Sequence, residues 1–196
     1  ELAMDNWVAH CIMTTLLAGS AGVVGAGAAI WRKTGAMDVG MAGNGALAGL
    51  VSITAGTGTM SFPGAVAVGF IGGVIVVYSV LFIERKGIDD PVGAVSVHGV
   101  CGAWGTLAIG LFARYDDAFL GREDAGLFYG GGFDQLLVQA IGVVVVAVWV
   151  LGTSAILFKV LKSTVGLRVS AEEELAGLDV AEHGSPGYGP EPVLVG

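Results

Sequence analysis

The sequence predicts an all-α membrane protein with five membrane-spanning helices and a short cytoplasmic tail. Of its 196 residues, 54% are hydrophobic and only 13% are charged, whereas soluble domains carry about 25% charged residues. The mean hydropathy is +0.78. The 34 glycines fit a membrane bundle, because small residues let neighbouring helices approach closely.

Five apolar stretches approach the length of about 20 residues that a membrane-crossing helix needs. They cover about 8–31, 39–55, 62–83, 92–112 and 136–161. The second is rich in glycine and is the weakest. The fifth holds a long β-branched run, which at this length favours a membrane helix over a strand. We therefore assign residues 1–163 to the membrane helices and 164–196 to a cytoplasmic tail.

The basic residues predict the orientation of the chain in the cytoplasmic membrane. Seven of the nine lie on one side when the connections are counted in order, and these are Arg32, Lys33, Arg85, Lys86, Lys159, Lys162 and Arg168. Basic loops favour the cytoplasm. The N-terminus of this chain is therefore expected outside and the C-terminus inside. The loop at about 113–133, which contains Asp116, Asp117, Glu123 and Asp124, is expected outside.

Several functional classes are disfavoured by composition. A net charge of −8 argues against nucleic-acid binding. Cys11 and Cys101 both lie in apolar stretches, where a structural disulfide is not expected. The sequence has no metal-ligand spacing, nucleophile triad or phosphate loop, so we predict no metal site, no cofactor and no enzymatic activity.

His98 is the leading candidate for a functional residue. A titratable ring at membrane depth usually faces a cavity, a partner or a conduction path, which favours a proton-handling pore. The alternative is a buried histidine that is bonded to the backbone of a neighbouring helix. His10, near the outer end of the first span, is expected to be an interfacial or packing residue.

Other polar residues in or near the apolar stretches have structural explanations. Asp89, Asp90 and Pro91 precede the fourth span, where acids accept backbone N–H groups and proline suits a first helical turn. We expect them to cap the helix, with acid–base catalysis by the two carboxylates as the alternative. Thr54, in the second span, is expected to bond to a helix, or alternatively to line a substrate path.

The tail combines a helix signal with a stretch rich in proline and glycine. Ser170 followed by Glu173 is typical of a capping box, which predicts a short helix over about 171–176, closed by Gly177. The stretch 184–192 is expected to be irregular. Composition alone leaves two alternatives for the tail, a disordered end or an ordered regulatory element.

Three ordered motifs resemble the ammonium transporter (Amt/Mep/Rh) family. The first is GALAGLVSITAG at 45–56, the second DDPVGAVSVHGVCG at 89–102, and the third TVGLRVSAEEELAGLDVAEHG at 164–184. The resemblance extends through nearly the whole chain but covers only the C-terminal half of a family member. It implies spans seven to eleven of an eleven-helix fold, in which two inverted five-helix halves precede a long final helix.

The resemblance also implies a homotrimer in which each subunit has its own narrow hydrophobic pore. His98 matches the second of two paired pore histidines. The first histidine, the phenylalanine gate and the outer recruitment site belong to segments outside this chain. The tail matches the segment that contacts PII-type signalling proteins in the family, and its candidate regulatory residues are Gly166, Arg168, Gly177, Asp179, His183 and Gly184.

The function expected from this resemblance is transport of ammonium or ammonia across the cytoplasmic membrane, in contact with membrane lipid. An intact ammonium ion would lose much of its hydration in hydrocarbon, whereas neutral ammonia crosses an apolar channel more easily. A pore histidine can hold the substrate or pass the proton. The alternative is a non-conducting ammonium sensor that signals through its C-terminal tail.

Overall fold

The computed structural model describes residues 6–114 and 125–187. The helices are α1 (Asn6–Thr34), α2 (Val39–Thr54), α3 (Phe62–Arg85), a π-helical segment (Val95–Val100), α4 (Cys101–Phe112), α5 (Asp134–Thr164), α6 (Ala171–Ala176) and α7 (Leu178–His183). A 3₁₀ turn covers Leu127–Tyr129. The predicted all-helical fold is confirmed in this part of the chain.

Within the described residues, four helices are long and apolar enough to cross a membrane: Asn6–Thr34, Phe62–Arg85, Val95–Phe112 and Asp134–Thr164. The helix in the predicted second span, Val39–Thr54, is apolar but has only 16 residues. The acids of the loop that is expected outside, Asp116, Asp117, Glu123 and Asp124, are not among the described residues, nor is the end of the tail from residue 188.

The chain forms two compact units, Glu1–Val146 and Ala147–Gly196. In the first unit, glycines bring the backbones of α1, α2 and α3 together. A Cβ on Gly22 of α1 would collide with the carbonyl oxygen of Gly45 on α2, and one on Gly73 of α3 would collide with the carbonyl of Gly22. The three helices therefore meet through backbone contact, as small residues permit in membrane bundles.

Helix α4 packs against α2 and α3 in the same unit. A Cβ on Gly105 would collide with the carbonyl group of Ser52 on α2. The indole Nε1 of Trp104 donates a hydrogen bond to the carbonyl of Val68 on α3 at 3.1 Å. Because that bond joins α4 to α3, Trp104 helps to pack these two helices together.

Two connections meet at one end of the first unit. The N–H of Arg114, just after α4, donates to the carbonyl of Thr59, between α2 and α3, at 2.7 Å. Met60 and Ala113 form an antiparallel bridge beside it. The predicted topology requires these two connections to lie on the same side of the membrane, and the structure places them in contact.

The second unit contains the C-terminal part of α5 and the short helices α6 and α7. The predicted capping box and helix are confirmed, since α6 covers Ala171–Ala176 and the reciprocal bonds of Ser170 and Glu173 are both present. Gly177 follows α6 with a φ of +89°, a conformation that glycine adopts readily.

Candidate functional site

His98 lies on an irregular turn of the fourth apolar segment. The N–H of Cys101 donates to the carbonyl of Ser96, five residues earlier, and Val95–Val100 is π-helical. Such turns are rare and are found frequently at functional sites. We refer to Val95–Val100 as the π turn.

The two faces of the π turn differ in their environment. Ser96 and Val97 are buried inside the first unit, with exposed fractions of 0% and 2%. His98 and Gly99, which follow directly, are exposed in this chain. Among residues 6–114 and 125–187, the His98 ring makes no hydrogen bond. The turn therefore presents the imidazole on a surface of the unit, with both ring nitrogens open to a partner.

Of the three predicted cap residues, Asp90 is the one whose side chain bonds to the start of the π turn in the described structure. The Asp90 carboxylate accepts hydrogen bonds from the N–H of Val95 at 3.2 Å and from that of Ser96 at 3.5 Å. Pro91 lies in a preceding turn, because Gly93 takes a φ of +70° and delays the helix. Asp89 is exposed.

Two side-chain bonds join this region to α3. Ser79 Oγ donates to Ser96 Oγ at 2.9 Å, and the Cys101 thiol donates to the carbonyl of Gly72 at 3.5 Å. Neither serine was singled out in the sequence analysis. Each of the five apolar stretches contains one serine, which indicates helix-to-helix hydrogen bonding but does not show which serines pair.

Thr54 ends α2 and is exposed. Its hydroxyl donates to the carbonyl of Leu50 in the same helix at 2.7 Å, so α2 itself supplies its partner. His10 has a packing role, as predicted: its Nε2 donates to the carbonyl of Met60 at 2.9 Å, and its ring stacks on Phe62 with centroids 5.0 Å apart.

The tail has its own polar contacts. The Glu173 carboxylate accepts bonds from the Ser170 hydroxyl at 2.8 Å and from the Ser170 N–H at 3.0 Å. These bonds lower the pKa of Glu173, the side-chain bond contributing most. Arg168 forms an exposed ion pair with Glu174 at 2.8 Å. The Asp179 carboxylate accepts a bond from the N–H of Gly187 at 3.1 Å.

The remaining tail candidates are at helix boundaries. Gly166, Gly177 and Gly184 all have positive φ, at +83°, +89° and +69°, and His183 is the last residue of α7. The tail residues that the structure describes are exposed, apart from Val169. No cluster of three or more potential metal ligands occurs in the described parts of the chain.

Apolar helices that meet through glycine backbones, with a histidine on an irregular turn, define a polytopic helical membrane protein. A family model described as the Ammonium Transporter Family matches residues 1–188. The chain belongs to this family.

The match to similar proteins extends over most of this chain, but this chain spans less than half of their length. An ammonium transporter Amt2 of Archaeoglobus fulgidus is 44% identical over 178 residues, which are 89% of this chain and 38% of that protein. An ammonium transporter of Mycobacterium tuberculosis is 39% identical over 184 residues, 90% of this chain and 38% of its own.

Solved structures agree with the fold. A protein described as a sensor Amt protein has a TM-score of 0.82 at 36% identity, covering 92% of this chain and 43% of its own. Mep2 of Candida albicans has a TM-score of 0.73 at 25% identity, covering 84% and 37% respectively.

Proposed function

We propose that this chain is the C-terminal half of an ammonium transporter subunit and that His98 lines its substrate path. The family membership and the ammonium transporters among its relatives support ammonium or ammonia as the substrate. The observation that carries the role of His98 is its exposed imidazole, held on a π turn of a membrane-length helix without a bond to the described residues. In a complete subunit, that surface faces the half that is not part of this chain.

The chemistry of imidazole suits this role. A neutral ring has one donor and one acceptor nitrogen, so it can accept a hydrogen bond from ammonium and can donate one to ammonia. Transfer of an ammonium ion out of water is unfavourable by several kcal/mol or more, because the ion loses its hydration. Neutral ammonia loses far less hydration free energy. A histidine that takes part in deprotonation therefore lowers the barrier to entering an apolar conduit.

The test uses the full-length subunit, reconstituted in proteoliposomes. The variant His98→Ala is expected to abolish ammonium-coupled current or change it sharply, because an alanine side chain has no nitrogen that could hydrogen-bond the substrate or carry its proton. His10→Phe is the matched control, since it removes a histidine that serves in packing. The fraction of this variant that folds is expected to conduct like the unmodified protein. Unchanged current and selectivity in His98→Ala would reject the proposal.

A sensor is the second candidate, favoured by the similarity to the structure described as a sensor Amt protein. A sensor built on this fold would bind ammonium and signal through its tail without conducting. Flux measurements on the unmodified full-length subunit separate the two functions. Transport at rates well above those of empty vesicles supports the transporter, and ligand binding without flux supports the sensor.

We further propose that the subunit forms a homotrimer and that its tail binds a PII-type protein from the cytoplasm. The exposed tail, with its ion pair and three glycine turns, supports a docking role. Co-purification of the full-length protein with a PII protein, before and after removal of residues 164–196, tests the second proposal. Mass measurement of the detergent-solubilised protein tests the first.

A further inference from the structure

Two hydroxyl groups, that of buried Ser96 and that of half-buried Ser79, connect the π turn to α3. Ser96 has an exposed fraction of 0%, and its Oγ accepts the hydrogen bond of Ser79 Oγ at 2.9 Å. Val80 and Val97, the sequence neighbours of the two serines, belong to one buried aliphatic cluster. Because Ser96 is fully buried, water does not replace Ser79 as its partner when this hydrogen bond is lost. The pair therefore favours one alignment of the π turn on α3.

This alignment bears directly on His98. A π turn contains one more residue per hydrogen-bonded ring than an α-helical turn, so it persists where other contacts hold it. Ser96 points into the unit, and His98, two residues later, is exposed. Any movement of Ser96 along or around the helix axis would move His98 as well, because both residues belong to the same turn.

The other contacts of the region fix the turn less specifically. Asp90 binds backbone N–H groups at the start of the turn, and such a cap would equally serve an α-helical start. The thiol of Cys101 is a weak donor at 3.5 Å from its acceptor. Val97 packs in an aliphatic cluster with Val80, a contact without directional preference. Among the described residues, the Ser79–Ser96 bond is the hydrogen bond that joins a side chain of the turn itself to a side chain of α3.

We infer that Ser96, through its hydrogen bond with Ser79, is a positioning residue that sets the direction of the His98 ring. The inference rests on the proposed function of His98. Ser96 does not touch the substrate; it acts through the backbone of the π turn.

The experiment compares the variants Ser96→Ala and Ser79→Ala in the full-length subunit. The structure of each variant is determined, and the ratio of ammonium to methylammonium transport is measured in proteoliposomes. Removing one hydrogen bond lowers the equilibrium constant for the favoured alignment about fivefold. We expect the His98 ring to move or to occupy more than one position, and the transport ratio to change.

Thr57→Ala is the control, because Thr57 bonds to Thr14 and Thr15 near the beginning of α1 and is not part of the π turn. It is expected to lower the amount of folded protein while leaving the transport ratio unchanged. The double variant Ser79→Ala/Ser96→Ala leaves neither hydroxyl unpaired, so it shows the effect of the lost bond without that of an orphaned group.

An unmoved His98 ring in the serine variants, or an unchanged transport ratio, would overturn the inference. Failure of the proposed function is recognised separately, because it is decided by His98→Ala. If that variant transports normally, His98 is not a pore residue. If it does not, and the serine variants leave the ring and the ratio unaltered, only the positioning role is rejected.

Discussion

The Nε2 of His10 on α1 donates a hydrogen bond to the carbonyl of Met60 at 2.9 Å, joining the first helix to the connection that precedes α3. Met60 is fully buried, so its carbonyl has little access to water as a replacement partner. The bond therefore stabilises the packing of the first unit.

His10→Phe is expected to destabilise the protein by about 1–3 kcal/mol, because a buried acceptor is left without a donor. The aromatic ring of the variant retains the stacking on Phe62, which isolates the effect of the hydrogen bond. Thermal unfolding of the full-length protein in detergent measures the change. An unaltered unfolding midpoint would show that the bond contributes nothing.

Gly22→Ala is expected to destabilise the bundle by about 1–3 kcal/mol or more, since overpacking forces helices apart. Its Cβ would collide with the carbonyl oxygen of Gly45. Gly43→Ala on the same neighbouring helix is the control, because within the described residues no atom beyond its own stretch of helix lies within 4 Å of its Cβ position. Equal unfolding midpoints for the two alanine variants would contradict the close-contact interpretation.

The cap of α6 is expected to weaken in acid. The folded-state pKa of Glu173 lies below its ordinary value of 4.5, so the stabilisation is present above that value and is lost as the pH falls through the lowered pKa. Amide chemical shifts of residues 171–176 in the labelled full-length chain should report fraying over that range.

Glu173→Gln should remove the acid-induced change in α6. Glu172→Gln is the matched control, because the neighbouring carboxylate makes no side-chain hydrogen bond in the described structure, and it should leave the change intact. Identical acid titrations of the two variants would be incompatible with the capping box as its cause.

The orientation predicted from the basic residues is testable by thiol labelling. In a background without Cys11 and Cys101, a membrane-impermeant maleimide added to intact cells should label Arg114→Cys and not Lys33→Cys. The reason is that Lys33 belongs to the basic, cytoplasmic side. Labelling of Lys33→Cys alone would establish the opposite orientation.

Much of the fold could be predicted from local sequence. Hydropathy indicated the apolar helices, because burial in a bilayer requires a continuous run of apolar residues. Ser170 and Glu173 indicated α6 and where it begins, because a capping box is made by residues of one short segment. The family motifs around Gly45, His98 and Gly177 are likewise continuous in sequence.

The candidate site was predictable only in part. His98 stood out because an ionisable residue is costly in an apolar span, but nothing in the order of residues around it indicated a π turn. The delayed start of the helix at Val95 depends on the positive φ of Gly93 and on the reach of the Asp90 carboxylate. Several backbone geometries suit this short stretch, and its neighbours select one of them.

The sequence alone therefore determined which segments are apolar, which tail residues cap a helix, and to which family the chain is similar, because each of these properties belongs to residues that are close in the chain. Tertiary structure alone decided that Ser79 lies against Ser96 and that His98 is exposed beside a buried serine. Such pairings depend on how helices distant in sequence approach one another, and glycine contacts between backbones set that approach here.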